Sequence, residues 1–452
     1  MRNIRAAVVG AGPAGIYAAD ILTKEYEQAE VDVFDRLPAP YGLVRYGVAP
    51  DHPRIKEIIK ALGRVLANDR IRFLGNVELG GDVKLADLHH YYDAVIVATG
   101  AASDRNLELP GSDLPGSYGA ADFVSWYAGH PDVPRDWPLE AESVAVIGAG
   151  NVGLDVARML AKPVTEQLTT EIAENVERGL AANKARDVHV FARRGPAQVK
   201  FSPMELRELS HSPSVDVLVE EDGFQIDEAS QALISSNKGV RLVVDTLLKY
   251  LEATPTGAPH RIHIHLCHAP VALLGDGKVQ AIRTERTELD GTGNARGTGE
   301  YVDTPVQAVY RAVGYLSTHL PDLPFDHVAG VIPNQAGRVL DLDGVALPGV
   351  YATGWIKRGP VGLIGHTKSD AAETIRSLLE DLDGIPAPEV RNRDAILDHL
   401  ADRGVDVVTH DDWLRLDAHE IALGEASGRE RIKVVPRDAM IAAARSEDTS
   451  LD

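Results

Sequence analysis

Gly10-x-Gly12-x-x-Gly15 and Gly148-x-Gly150-x-x-Gly153 repeat one spacing of three glycines within a single chain. Each set follows an apolar run and opens a helix-forming run, the arrangement in which backbone cradles a pyrophosphate. The first glycine allows a tight turn, the second lets the phosphate approach, and the third lets helix and strand pack closely. The helix start adds free N–H groups and a partial positive charge. Two such loops imply two bound dinucleotides. Hydride transfer between a nicotinamide and a flavin is the chemistry that uses both.

The residues that end the next strand distinguish the two loops. Asp35 lies about 20 residues after Gly15, at the end of the alternating run Val31–Phe34, where a carboxylate meets an adenosine ribose. The run VHVFA after the second loop ends instead on Arg193-Arg194. Two guanidinium groups suit a 2′-phosphate and favour NADPH over NADH. This strand end comes about 40 residues after the loop rather than roughly 20, and the charged segment 165–185 reads as the insertion responsible. The alternative is that the two arginines form a solvated turn. His52 sits in a proline-bounded loop and suits proton handling or orientation of a nicotinamide carboxamide, the alternative being that it caps the helix Ile55–Leu66 or only hydrogen-bonds locally. Glu205 and Glu208 stand three residues apart in MELREL, so both face one side of a helix.

The elements that must position these residues are read from periodicity. Ile4–Val9, Val31–Phe34 and Tyr92–Gly100 read as strands, and Ala14–Leu22 and Ile55–Leu66 as helices, with Leu37–Pro53 a shaped loop. The pattern restarts with strand Ser143–Ile147, helix Asn151–Leu160 and strand Val188–Ala192. Leu168, Ile172, Val176 and Leu180 recur every four residues, which predicts an amphipathic helix over 165–185. From Val240 to Val313 short alternating runs with Gly, Asp and Asn turns predict an antiparallel meander. Val350–Gly354 repeats the pattern of Val95–Gly100, so the chain returns to its first domain.

At 452 residues the chain fits two or three domains. A net charge of -21 argues against nucleic-acid binding. The single cysteine, Cys267, excludes an internal disulfide, a dithiol redox centre and a four-cysteine iron–sulfur cluster. The glycine loop begins within ten residues of Met1, leaving no room for a leader, and no apolar run approaches a membrane span; the expectation is a cytoplasmic protein. His260, His263, His265, Cys267 and His268 suggest a metal site, but Ile262, Ile264 and Leu266 alternate with them, and a polar strand face is the favoured reading, with no metal.

The segments GAGPAG (10–15), PYGLVRYGVAPDHP (40–53), GAGNVGLDVAR (148–158), ARRGP (192–196), MELREL (204–209) and GWIKRGPVGLIG (354–365) resemble adrenodoxin-reductase-type ferredoxin–NADP reductases, in the same order over nearly the whole chain. The resemblance implies an α/β fold of two Rossmann-like, three-layer dinucleotide-binding domains. The FAD domain would be discontinuous (1–104 and 328–452), with the NADP domain (105–327) inserted into it. It implies FAD against Gly10, Gly12, Ala14, Gly15, Asp35, Leu43, Leu79, Trp355, Gly362, Leu363 and Ile364. It implies NADPH against Arg105, Ala149, Gly150, Asn151, Val152, Arg193, Arg194 and Glu205, with Gly362 beside the flavin. His52 and Glu208 would form a polar pair near nicotinamide and flavin, and Asp155 a further catalytic residue. Asp35 stands where relatives often carry Glu, and Tyr41 where a relative carries Trp.

The activity implied is electron transfer from NADPH through FAD to a separate ferredoxin-type iron–sulfur protein. An acidic partner needs a local basic face, for which Arg45, Arg54, Lys56, Arg207, Lys357 and Arg358 are candidates. No membrane or nucleic-acid partner is expected, and the protein reads as a monomer or weak dimer. The competing readings are a flavin-dependent NADPH oxidase or monooxygenase, and a non-catalytic NADPH-binding redox-partner protein.

Overall fold

The central strands of the first sheet are apolar on both faces, and that fixes its architecture. In the computed structural model, which describes residues 2–361 and 364–446, Ile4–Val9 is buried at every position. Ala6 and Val8 join one hydrophobic cluster while Ala7 and Val9 join another, and Ile96 parts from Val95 and Val97 in the same way. A strand buried on both faces requires helices above and below its sheet. Helices Pro13–Glu25, Ile364–Asp381 and His410–Glu425 supply one cover, and Leu85–Tyr91 and Ala395–Asp402 the other.

The chain divides into two compact units. The first comprises residues 2–103, 128–132 and 315–446 among those described. Its seven-stranded sheet runs in the order Asn334–Gln335, Arg338–Leu340, Ala346–Ala352, Ala94–Val97, Ile4–Val9, Ala29–Asp35, Ile71–Gly75. Ile4–Val9 pairs in parallel with a later strand on either side, so its carboxyl end is a topological switch point.

The second unit comprises residues 104–127 and 133–314. Its six-stranded sheet is parallel throughout, in the order Ser117–Gly119, Ala308–Arg311, Ser143–Ile147, Asp187–Phe191, His260–His265, Val215–Val219. Ser143–Ile147 again lies between two later strands, which makes a second switch point. A three-stranded antiparallel sheet (His268–Leu274, Ala281–Leu289, Ala295–Pro305) contributes Leu273 and Ile282 to a core shared with Ala145, Ile147 and Val309. On the alternate positions Tyr310 meets Phe123, with ring centroids 4.9 Å apart.

Several expectations need correction. Residues 128–132 and 315–327 pack with the first unit, where Leu323 is buried in its core and Asp132 pairs with Arg36 and Arg437. The helix expected over 165–185 covers only Glu174–Ala181. Thr170 donates its hydroxyl to the Gln167 carbonyl and holds a turn just before it, a local bond that competes with helix. Residues 238–252, taken as the start of a β-meander, form a helix whose Asn237 cap accepts from the Gly239 and Val240 N–H groups. The loop Leu37–Pro53 contains a short helix, Leu43–Tyr46, and the helix after His52 breaks at Glu57 into Pro53–Lys56 and Ile58–Leu66.

Candidate functional site

The two glycine loops are built alike, contact by contact. Gly10 has φ +112°, and a Cβ there would lie 2.5 Å from the Ala98 carbonyl oxygen; Gly148 has φ +135°, and its Cβ would lie 2.2 Å from that of Ala312. The third glycines are as tightly enclosed. A Cβ on Gly15 would meet the Gly10 oxygen at 2.0 Å, and one on Gly153 the Gly148 oxygen at 2.4 Å. The middle glycines differ: a Cβ on Gly12 would find only the Gly42 Cα at 3.9 Å, and one on Gly150 nothing within 4 Å. Protein packing thus requires the outer glycines and not the middle one. That open position is where a pyrophosphate approaches backbone, so both loops fit a dinucleotide.

In the first unit, the Asp35 carboxylate accepts hydrogen bonds from the Ala11 N–H at 2.8 Å and the Leu37 N–H at 2.9 Å. Burial raises its carboxyl above the usual aspartate range while these two donors pull it down. Asp35 therefore stiffens the loop as well as presenting oxygen beside it. The Tyr41 N–H donates to the Ala11 carbonyl at 2.7 Å, and Gly42, at φ +48°, leaves a Cβ only 3.0 Å from the Gly12 Cα. Segment 41–46, with Leu43 at its helix start, is thereby laid on the glycine loop. Its Arg45 is buried, bonded to Glu420 at 2.9 and 2.5 Å and lying over the rings of Tyr46 and Trp413. Leu79 is buried in the same unit. Trp355 is half-buried after Gly354, which has φ +76° and where a Cβ would lie 2.6 Å from the Ala14 methyl. His52 is buried at the start of helix Pro53–Lys56, yet its imidazole makes no capping bond, so the capping alternative falls. Gly362, Leu363 and the side chain of Ile364 lie outside the described residues.

In the second unit, Arg193 is exposed and Arg194 half-buried just past strand Asp187–Phe191. Neither guanidinium has an ion-pair partner among the described residues. Arg105 is exposed, its N–H bonded to the Gly314 carbonyl. Ala149, Asn151 and Val152 flank the open Gly150 at the start of helix Asn151–Ala161. The Ala149 carbonyl accepts from the Lys200 N–H and the Asn151 side chain from the Ser202 N–H at 2.7 Å. Ser202 caps helix Pro203–Glu208 through the Glu205 N–H, so the second loop and the Glu205 helix are tied together. Glu205 is buried and lies 3.9 Å from Arg158, which is bonded to Asp155 at 2.8 Å. Asp155 thus faces Arg158 rather than open space. Glu208 is half-buried at the end of the same helix.

The histidine strand forms a ladder. His263 bonds Asp187 at 2.9 Å, and His189 bonds His265 at 2.9 Å, with Glu220 3.3 Å beyond. Cys267 is buried, its thiol pushed up to about 11 by desolvation. The expected basic face also needs correction. Arg45, Lys56 and Lys357 are buried, and Lys357 is held by Asp370 at 3.0 Å and Glu373 at 2.6 Å, leaving Arg54 and Arg207 as the exposed members. Arg158 and Glu420 escaped the sequence reading. Arg158 stood within a recognised segment, but Glu420 lies 375 residues from Arg45, and no local pattern links them.

Two switch points, each with an open-centred glycine loop, define a pyridine-nucleotide oxidoreductase. The pyridine nucleotide-disulphide oxidoreductase family model matches residues 4–194, a span that contains both loops. NADPH-ferredoxin reductase FprA of Mycobacterium tuberculosis is 40% identical over 96% of this chain and 97% of its own. Mitochondrial NADPH:adrenodoxin oxidoreductase of Arabidopsis thaliana is 36% identical over 98% and 96%. The solved structure of Mycobacterium tuberculosis FprA in complex with NADPH superposes with a TM-score of 0.90 at 38% identity, covering 98% of this chain and all of that one. The chain belongs to the NADPH:adrenodoxin and NADPH–ferredoxin oxidoreductase family.

Proposed function

We propose that this chain drives the reduction of an iron–sulfur protein with NADPH, holding FAD at the first glycine loop and NADPH at the second. The enzyme is an FAD oxidoreductase that takes electrons from NADPH and passes them to a ferredoxin-type partner. Bound nicotinamide supplies the hydride and bound flavin converts the pair to single electrons. The observation that carries the assignment of the loops is their contrast. Two loops built alike lead to a carboxylate in one case and, in the other, to two arginines without ion-pair partners among the described residues.

The chain's own residues then bind and orient. Gly10, Gly12, Ala14 and Gly15 cradle the FAD pyrophosphate, with Asp35 toward its ribose and Leu43, Leu79 and Trp355 on its apolar parts. Ala149 to Val152 cradle the NADPH pyrophosphate, Arg193 and Arg194 take its 2′-phosphate, and Arg105 and Glu205 bind elsewhere on the nucleotide. His52, buried at the start of its short helix, handles a proton. Asp155 acts through Arg158 on Glu205, and Glu208 offers a second carboxylate one turn beyond. Among the described residues no helix is long and apolar enough to cross a membrane. A cytoplasmic setting and a monomeric or weakly dimeric state complete the proposal.

The test is spectroscopic. The purified protein should show a flavin spectrum that bleaches on anaerobic addition of NADPH and recovers when ferredoxin and cytochrome c are supplied. A protein that cannot take up FAD, or that returns its electrons only to oxygen, overturns the reading.

A further inference from the structure

Arg193 and Arg194 are long, flexible side chains without ion-pair partners among the described residues, so their aim depends on the backbone beneath them. That backbone is held at both carbonyls. The Thr287 hydroxyl donates to the Arg193 oxygen at 2.9 Å, and the Cys267 N–H donates to the Arg194 oxygen at 3.2 Å. One residue earlier, the Ala192 N–H donates to the His265 carbonyl and the Ala192 carbonyl accepts from the His268 N–H. The Thr287 N–H in turn donates to the Cys267 carbonyl at 2.8 Å, so the two anchors brace each other.

Both anchors break a local rule of backbone geometry. Strand Ala281–Leu289 buries Ile282 and Thr284, and regular alternation would next turn Arg286 inward. The partner strand Ala295–Pro305 bulges opposite Glu285 to Thr287, shifting the register there, and Thr287 is buried instead. Bulges re-aim side chains in this way, and they recur next to active sites. Cys267 has φ +56°, a left-handed conformation that a non-glycine side chain rarely adopts. Such strain persists where surrounding structure over-determines it, and it gathers at functional positions. Here a residue beside a register shift and a left-handed residue meet at the carbonyls of the same arginine pair.

We propose that Thr287 and the Leu266–His268 turn position Arg193 and Arg194, so that this corner of the antiparallel sheet sets the preference for NADPH over NADH. Thr287 is a positioning residue that touches the arginine backbone and not the nucleotide. The proposal rests on Arg193 and Arg194 receiving the 2′-phosphate. A guanidinium fork recognises phosphate by direction, and a backbone fixed beforehand lowers the ordering cost of binding. NADH lacks the phosphate, so loosening the anchor should leave its use unchanged.

The experiment is steady-state kinetics of the FAD-loaded enzyme with NADPH and with NADH, using ferricyanide as acceptor. Thr287→Val keeps the shape and removes the donor, and Thr287→Ser keeps the donor. The loss of one anchoring hydrogen bond should raise KM for NADPH roughly 3- to 10-fold, leaving kcat and the KM for NADH unchanged. Thr287→Ser should keep the wild-type preference. Equal changes for both nucleotides, no change for either, or loss of preference in Thr287→Ser would overturn the proposal. The double replacement Arg193→Ala and Arg194→Ala separates the two layers. If it leaves the NADPH:NADH ratio unaltered, the phosphate reading itself fails. If it abolishes the ratio while Thr287→Val retains it, only the positioning role fails.

Discussion

Replacing Gly150 by alanine should leave the fold intact and cripple NADPH binding. Gly150 has φ -125° and ψ 173°, an extended conformation open to any residue, and its added Cβ would meet no atom within 4 Å. Alanine at a compatible glycine stabilises a protein by about 0.4–1 kcal/mol, chiefly by restricting the unfolded chain. The melting temperature should therefore hold or rise slightly. The methyl group, however, stands where a pyrophosphate must approach backbone N–H groups. Loss of one charge-assisted hydrogen bond costs about 1.5–3 kcal/mol, or roughly 10- to 150-fold in Kd. Titration with NADP+, followed by the flavin spectrum, measures the loss, and FAD content should stay at the wild-type level. Gly153→Ala is the contrast. Its Cβ would sit 2.4 Å from the Gly148 oxygen, an overlap that should destabilise by about 1–3 kcal/mol before any ligand is considered. A Gly150→Ala protein that melts early, or that binds NADP+ as tightly as the parent, would refute the claim that the ligand alone requires the middle glycine.

Two further outcomes test the surrounding structure. Glu420→Gln leaves the Arg45 guanidinium buried without its counter-charge, which should cost about 3–5 kcal/mol, lower the melting temperature and speed FAD release, because Arg45 belongs to the segment laid on the first loop. A melting temperature and FAD off-rate equal to wild type would remove that role. His189 is held down to about 3, by burial first and by His263 and His265 second, against 6.5 for an ordinary imidazole. The unfolded chain thus binds a proton that folded His189 refuses, so the contribution of His189 to stability is complete above pH 6.5 and is lost as pH falls toward 3, with a slope approaching ~1.4 kcal/mol per pH unit. His189→Asn should melt with a shallower dependence across that window, and an unchanged slope would assign the acid sensitivity to other groups.

The sequence by itself determined the two glycine loops, the strands that lead into them, the Asp35 and Arg193-Arg194 distinction, and the absence of any internal disulfide. Each is a local property: a spacing, an apolar run, or the residue that ends a strand. Local signals failed where a side-chain bond or a distant partner outweighed them. Asn237 caps a helix through Val240, where the pattern from Val240 to Val313 suggested strand, and Thr170 holds a turn in a stretch whose periodicity suggested helix. Arg45 and Lys357, grouped by sequence with other basic residues as one face, proved to be buried, because Glu420 claims Arg45 and Asp370 and Glu373 claim Lys357. Only the tertiary structure showed why the outer glycines are obligatory and the middle ones are not. The oxygens that exclude a Cβ at Gly10 and Gly148 come from Ala98 and Ala312, residues brought there by parallel pairing of strands far apart in the chain. The same reason hid the brace on the arginine pair. A register shift beside Thr287 and a left-handed Cys267 gain meaning only when folding sets them against Arg193 and Arg194.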